Sequence, residues 1–176
     1  MGYHRLWSHR SFVASEPLRW FLALSALFGL QGSIKWWVLR HRLHHRFTDS
    51  DADPYNAKRG LLFSHIGWML YNPRYEKLNL IDRMVVLQHR YYVPLGYFMG
   101  FVLPYLVSTY ILKSNQHSKW DGLIWGGFVV KLWVWHSAFT TNSLAHYLGK
   151  QPFNLDLTAR GNFWLALLTL GEGNHS

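Results

Sequence analysis

The chain has no cysteine among its 176 residues, which excludes a disulfide framework, zinc-finger thiolates and iron–sulfur clusters together. Any metal must be held by nitrogen and oxygen. Acids are scarce too: nine Asp and Glu stand against 18 Lys and Arg, a formal net charge of +9. That surplus suits a surface facing anionic lipid or an acidic substrate. A signal peptide is also missing, because Met1 to Arg10 is polar and runs straight into motif residues, an abrupt start that suggests a fragment. What the chain has in abundance is apolar and aromatic: 49% hydrophobic residues, with ten Trp and ten Tyr, fit rings settled at a membrane interface.

The densest chemistry lies in Arg40-His-Arg-Leu-His-His-Arg46. On a helix, positions i, i+3 and i+4 share a face, so His41, His44 and His45 project together, which is the geometry of a metal site. The arginines alone would suit phosphates, but phosphate binding gains little from three imidazoles of pKa about 6.5, so no nucleic acid is expected as a partner. His4-Arg-Leu-Trp-Ser-His9 is a second pair. Its spacing would set the two rings about 140° apart on a regular helix, so both reach one site only if the metals lie between helices or the helix is ending there. The loop Thr48-Asp-Ser-Asp-Ala-Asp-Pro-Tyr55 lacks the Gly and terminal Glu of a calcium-binding EF-hand. Asp49, Asp51 or Asp53 is instead placed to accept the second ring N–H of a ligating histidine.

Trp20 to Leu30 is an apolar run too short to span a bilayer, and is expected to form a buried or interfacial helix. Tyr91 to Leu112 is uncharged and long enough to cross, with Pro94 and Pro104 tolerable in such a helix. After a polar turn, Lys113 to Asp121, a second apolar stretch runs from Gly122 to Phe139, so the two are expected to form a transmembrane hairpin. Lys131 and His136 within its second arm should face protein or a wet cavity. Basic residues crowd the part before Tyr91, which puts residues 1–90 in the cytoplasm and the turn outside. The hairpin then returns the chain to the cytoplasmic side at Asn142-Ser-Leu-Ala-His146, ahead of a short apolar segment and Gly171-Glu-Gly-Asn-His175. The expected fold is all-α: an integral membrane helical protein, one domain over 1–176, whose hairpin carries a cytosolic helical cap with a histidine-rich di-metal site.

His4, His9, His41, His44, His45, His146 and His175 exceed what one ion can take, and a nitrogen-rich set without thiolates suits iron and oxygen chemistry. These boxes, with Asp53-Pro-Tyr-Asn and Ser64-His-Ile-Gly-Trp68, resemble those of membrane acyl-CoA desaturases of the stearoyl-CoA, Δ9 type, and Gly32-Ser-Ile-Lys-Trp-Trp37 resembles the fungal branch. The resemblance covers nearly the whole chain. It implies four transmembrane helices capped by a cytosolic domain, in the endoplasmic reticulum membrane, multi-pass, with the active site facing the cytosol. It further implies that the seven histidines ligate two ferrous ions, with Asn142 acting through water and no catalytic residue beyond the metal centre. Electrons come in that family from cytochrome b5, separate or fused, and its reductase; O2 is the oxidant and a long-chain fatty acyl-CoA the substrate. Gln31 and Trp37 match positions lining the bend of the acyl tunnel, whereas Leu39 and Asn72 replace basic residues that contact coenzyme A in animal relatives. His65, His89 and His117 fall outside the boxes and are read as structural or solvent-exposed. By the same resemblance, the first transmembrane helix and most of the second should precede Gly2, and two more histidines should follow Ser176, so the chain by itself is expected to be inactive. Two rivals remain: another histidine-box di-iron membrane oxygenase, a hydroxylase or front-end desaturase, and a non-enzymatic membrane metal-binding protein.

Overall fold

Every regular element of the computed structural model is helical among the described residues, which are 2–71, 75–80, 91–112, 119–150 and 158–169. The all-α expectation holds, relieved only by an isolated antiparallel bridge between Lys150 and Gly161. After a π-wound turn at Gly2–Ser8 come α1 (Glu16–Leu27), α2 (Ile34–Phe47), α3 (61–70), α4 (Tyr92–Leu112), α5 (119–142) and α6 (Phe163–Leu168). Asn72, Arg74, Arg83, His89, Arg90, residues 113–118 with His117, and residues 171–175 lie outside the described residues, while the end of the expected polar turn, Lys119 to Asp121, already belongs to α5.

The chain divides into two compact units, one of Met1–Leu39 with Arg83–Trp135 and one of Arg40–Asp82 with His136–Ser176. In the first unit, α1 opens with Pro17 in its first turn, where no N–H is missed, and with Glu16 at the positive end of the helix dipole. It runs 12 residues and stops at a bend where Leu30 and Gly32 both take positive φ. The apolar run from Trp20 thus makes a short helix, as its length requires. Its Ala23 and Leu27 are buried, while Trp20 and Phe21 face outward.

α4 is the one helix among the described residues long and apolar enough to cross a membrane. Pro104 removes a backbone donor inside it, yet the helix continues, because wider π-type turns at Phe98–Val102 and Val107–Leu112 flank the proline segment and absorb the misfit. The first part of α5 packs antiparallel to α4. Gly122 is what permits this approach, since a Cβ there would collide with the Pro104 carbonyl. Farther along, the Lys131 ammonium donates to the Gly100 carbonyl at 2.5 Å and sits 4.6 Å over the Phe101 ring, so this charge faces protein, as expected. α5 has the length of a span; Lys131 interrupts its apolar sequence but is buried, and His136 is exposed.

The second unit is built on the end of α2. Asp49 adopts φ +62, a left-handed turn that short polar side chains tolerate, and sends the chain back under the helix. The Asp49 carboxylate then accepts from the Thr158 backbone N–H at 2.6 Å, tying the 158–162 segment to this corner, and Arg160 N–H reaches the Ala145 carbonyl at 2.7 Å. α6 begins at Asn162, whose side chain accepts from the N–H groups of Trp164 and Leu165.

Candidate metal centre

Four of the expected ligands form two close pairs, one in each unit. In the first, His9 N–H bonds the His4 carbonyl at 3.0 Å, an i to i+5 closure. The wider winding turns the chain less per residue, so the 140° separation expected on a regular helix shrinks and the two Nε2 atoms stand 3.0 Å apart. Tyr3 and Trp37 support the turn: their rings lie 5.7 Å apart and the His4 ring is 6.3 Å from Trp37. Trp37 therefore packs beneath the His4–His9 turn in this structure. Gln31 sits in the bend after α1, half-buried.

In the second unit, His41 and His45 are i, i+4 neighbours on regularly wound α2, and their Nε2 atoms also lie 3.0 Å apart. Two nitrogens bound about 2.0–2.1 Å from one ion at roughly right to tetrahedral angles stand about 2.9–3.4 Å apart, so each pair has the spacing of two ligands on one metal. His44 does not join them in one row. Its ring is 2% exposed and turns inward, where Nδ1 lies 2.7 Å from Asp53 Oδ1. Asp53 also accepts from the backbone N–H groups of Asp49 and Tyr55, the surroundings of an ionised carboxylate, so His44 Nδ1 carries the proton and Nε2 keeps a lone pair.

His146 is set in the same way through a longer path. The Thr158 hydroxyl lies 2.6 Å from Asp49 Oδ1, which can only accept, so its proton points there and its oxygen accepts from His146 Nδ1–H at 2.7 Å. The buried His146 Nε2 is again the lone-pair nitrogen. The His44 and His146 rings are 5.5 Å apart. Burial, and next the neighbouring His44, press the His146 pKa down to about 4, while Asp49 and Asp53 pull it partly back. A neutral imidazole with a fixed lone pair is what a metal requires. Of the three acids placed to accept a histidine's second ring N–H, Asp53 takes that of His44 directly and Asp49 meets that of His146 through Thr158; Asp51 is exposed. Tyr55 closes the floor, its ring 5.3 Å from His44, and its buried hydroxyl is held protonated, chiefly by desolvation.

Sequence reasoning missed Thr158, which belongs to no motif, and undervalued His65. From α3, His65 Nδ1 reaches Ser143 Oγ at 2.9 Å, and Nε2 reaches His136 Nδ1 at 3.1 Å. Ser143 gives its own proton to the Phe139 carbonyl, so it accepts from His65 and anchors the turn between Asn142 and His146. The half-buried Asn142 ends α5 beside that turn. The reading of His65 as structural is thereby given partners.

In the first unit a cavity of about 190 Å³ opens between α1, α4 and α5, lined by Leu27, Leu30, Gly32, Gly96, Phe101 and Trp135 among others. The Trp135 indole N–H closes one side on the Gly29 carbonyl at 2.9 Å. It is an apolar slot beside the Gln31 bend.

No protein-family model matches the chain. Individual relatives do. It is 44% identical to the probable acyl-CoA desaturase of Schizosaccharomyces pombe and 44% identical to acyl-CoA desaturase 1 of Saccharomyces cerevisiae, over 99% of this chain and 37% and 35% of theirs. Against human stearoyl-CoA desaturase the identity is 36%, over 99% of this chain and 51% of the relative. The chain therefore spans about a third to a half of the length of the curated relatives it matches, and over nearly all of its own length it is a homologue of the acyl-CoA desaturases.

Proposed function

We propose that this chain carries much of the metal centre and part of the substrate path of a membrane acyl-CoA desaturase, which inserts a cis double bond, at Δ9, into a long-chain fatty acyl-CoA. The observation that carries the reading is the donor set: two histidine pairs at metal-ligand spacing, and two buried histidines whose protons are directed away from Nε2 by Asp53 and by Thr158 with Asp49. His4, His9, His41, His44, His45, His146 and His175 are assigned as ligands of two irons, with Asn142 acting through water.

The bound irons would supply oxygen activation with electrons delivered by cytochrome b5 and its reductase; the chain's own residues supply position. Asp53, and Asp49 through Thr158, hold the imidazoles oriented before metal arrives, while burial keeps His146 neutral. The apolar slot beside Gln31 excludes water and holds a methylene chain in a fixed bend, so that one carbon pair rather than another is presented. The basic surplus suits the phosphates of coenzyme A on the cytosolic face of the endoplasmic reticulum, with α4 and α5 as the transmembrane hairpin.

The test uses the full-length chain in membranes with oxygen, an electron donor and stearoyl-CoA. Expected are two irons per chain and a Δ9 product, with His44→Ala and His45→Ala each losing iron and product together while Asp51→Ala keeps both. A hydroxylated product would assign the site to a hydroxylase. A bound metal that neither changes redox state nor consumes oxygen would make the protein a metal binder.

A further inference from the structure

α3 is built inside out for a helix in water. Leu62 is 76% exposed and Leu70 88%, with Leu61, Ile66, Met69 and the following Tyr71 also open. On the opposite side Ser64 and Trp68 are buried, and Trp68 packs on Tyr55 and Phe139. A ten-residue helix is about 15 Å long, half of a hydrocarbon core of about 30 Å, so α3 cannot cross a bilayer. Lys58 and Arg59 lead into it, both exposed. The Arg59 guanidinium lies 3.8 Å over the Phe63 ring and 4.9 Å over Tyr71, so its stem lies along the apolar surface.

The position of α3 within its unit selects the occupant of this face. Through His65 and Trp68 it is fastened to α5 at His136 and Phe139, where the long apolar stretch of α5 ends. One turn earlier α5 still shows Leu132 and Trp133 outward. An apolar face held at the end of an apolar helix, with cations at its entry, has the composition of an interfacial helix.

We propose that α3 is an in-plane membrane anchor. Its Leu62, Ile66, Met69 and Leu70 face enters the boundary between headgroups and acyl chains, and Lys58 and Arg59 meet headgroup phosphates. The anchor fixes the height of the turn at Ser143 above the membrane, because His65 leaves α3 from the same segment. This inference rests on reading α4 as membrane-spanning.

The absence of cysteine makes a direct test possible. Single cysteines at Leu62, Leu70, Asp51 and, on α4, Val102 are spin-labelled in the full chain, reconstituted in nanodiscs of phosphatidylcholine and phosphatidylserine. Collisions are compared for oxygen, which concentrates in lipid, and a water-soluble nickel chelate. The expected result is a severalfold higher oxygen-to-nickel ratio at positions 62 and 70 than at 51, in the direction of position 102. Nickel access at 62 and 70 with lipid contact at 102 overturns the anchor alone. Shielding of 62 and 70 from both reagents overturns it as well, since protein then covers the face. Nickel access at 102 too removes the membrane reading together with the anchor.

Discussion

The His4–His9 turn and the His44–His146 corner offer the same imidazoles with opposite support. The first pair is partly open to solvent, rests on aromatic rings, and owes its spacing to the winding of one backbone turn. The second is buried, and each ring is aimed by a hydrogen bond that ends on a carboxylate. A ligand held by its backbone can follow a metal as it enters or shifts. One held through its second nitrogen has its tautomer and direction set beforehand, at the cost of burying charge. The open turn should therefore be sensitive to backbone geometry, and the buried corner to its acids.

The sharpest way to break that contrast is Asp53→Ala. This change strands the His44 Nδ1 proton and two backbone N–H groups in a site where Asp53 is 4% exposed. A loss of about 3–5 kcal/mol is expected in denaturant titration, with metal affinity falling about 10–100-fold. Asp51→Ala, two residues away on the surface, should stay within about 0.5 kcal/mol of the parent. Comparable losses at both positions would mean that the loop as a whole, rather than the buttress to His44, is what matters.

Acid should separate the regions next. In the metal-free chain the folded His146 resists protonation until about pH 4, whereas the unfolded ring accepts a proton near 6.5. Between those values the unfolded state binds the extra proton, so stability is complete above about 6.5 and declines as pH falls toward 4, by about 3 kcal/mol from this group. His146→Gln should flatten the slope measured by unfolding at stepped pH. An unchanged slope would place the acid sensitivity elsewhere.

A smaller effect is expected at His65. His65→Ala removes the bond to buried Ser143, about 1 kcal/mol, and loosens the turn that carries His146. His65→Asn can return an N–H to Ser143 and should recover part of the loss. Hydrogen exchange at His146 N–H, which bonds the Ser143 carbonyl at 2.8 Å, reports the turn directly. Equal exchange in both variants would detach His65 from it.

How far these contrasts were legible beforehand depends on the range of the interaction. The i, i+4 pair of His41 and His45 follows from helix period alone, and the buttressing role of the aspartate loop followed from its closeness in sequence to the box. His44 did not fall in with its neighbours because a partner nine residues on, Asp53, draws it inward. Thr158 was invisible, since it meets Asp49 across 109 residues and a threonine announces nothing. The length of α4 was readable from hydropathy, while its wide turns depend on how a chain passes Pro104, which composition does not encode.

The least expected feature is the winding at His4, whose predicted effect is as small as that at His65. A spacing of five suits a π-wound turn and misfits a regular one, so the pair exists only while the wider turn is preferred. Ser8 favours it, because its buried hydroxyl donates to the Tyr3 carbonyl, again five residues back, at 2.9 Å. Ser8→Ala should cost about 1 kcal/mol and shift some molecules toward ordinary winding, where the His9 ring swings away from His4. The same loss at the His41–His45 turn would leave its pairing intact, since that spacing is native to an α-helix. Metal titration of Ser8→Ala should thus show one weakened ion and one unaffected. If both ions weaken equally, the effect is not local to the His4–His9 turn; if neither does, the turn is held by its tertiary packing on Tyr3 and Trp37.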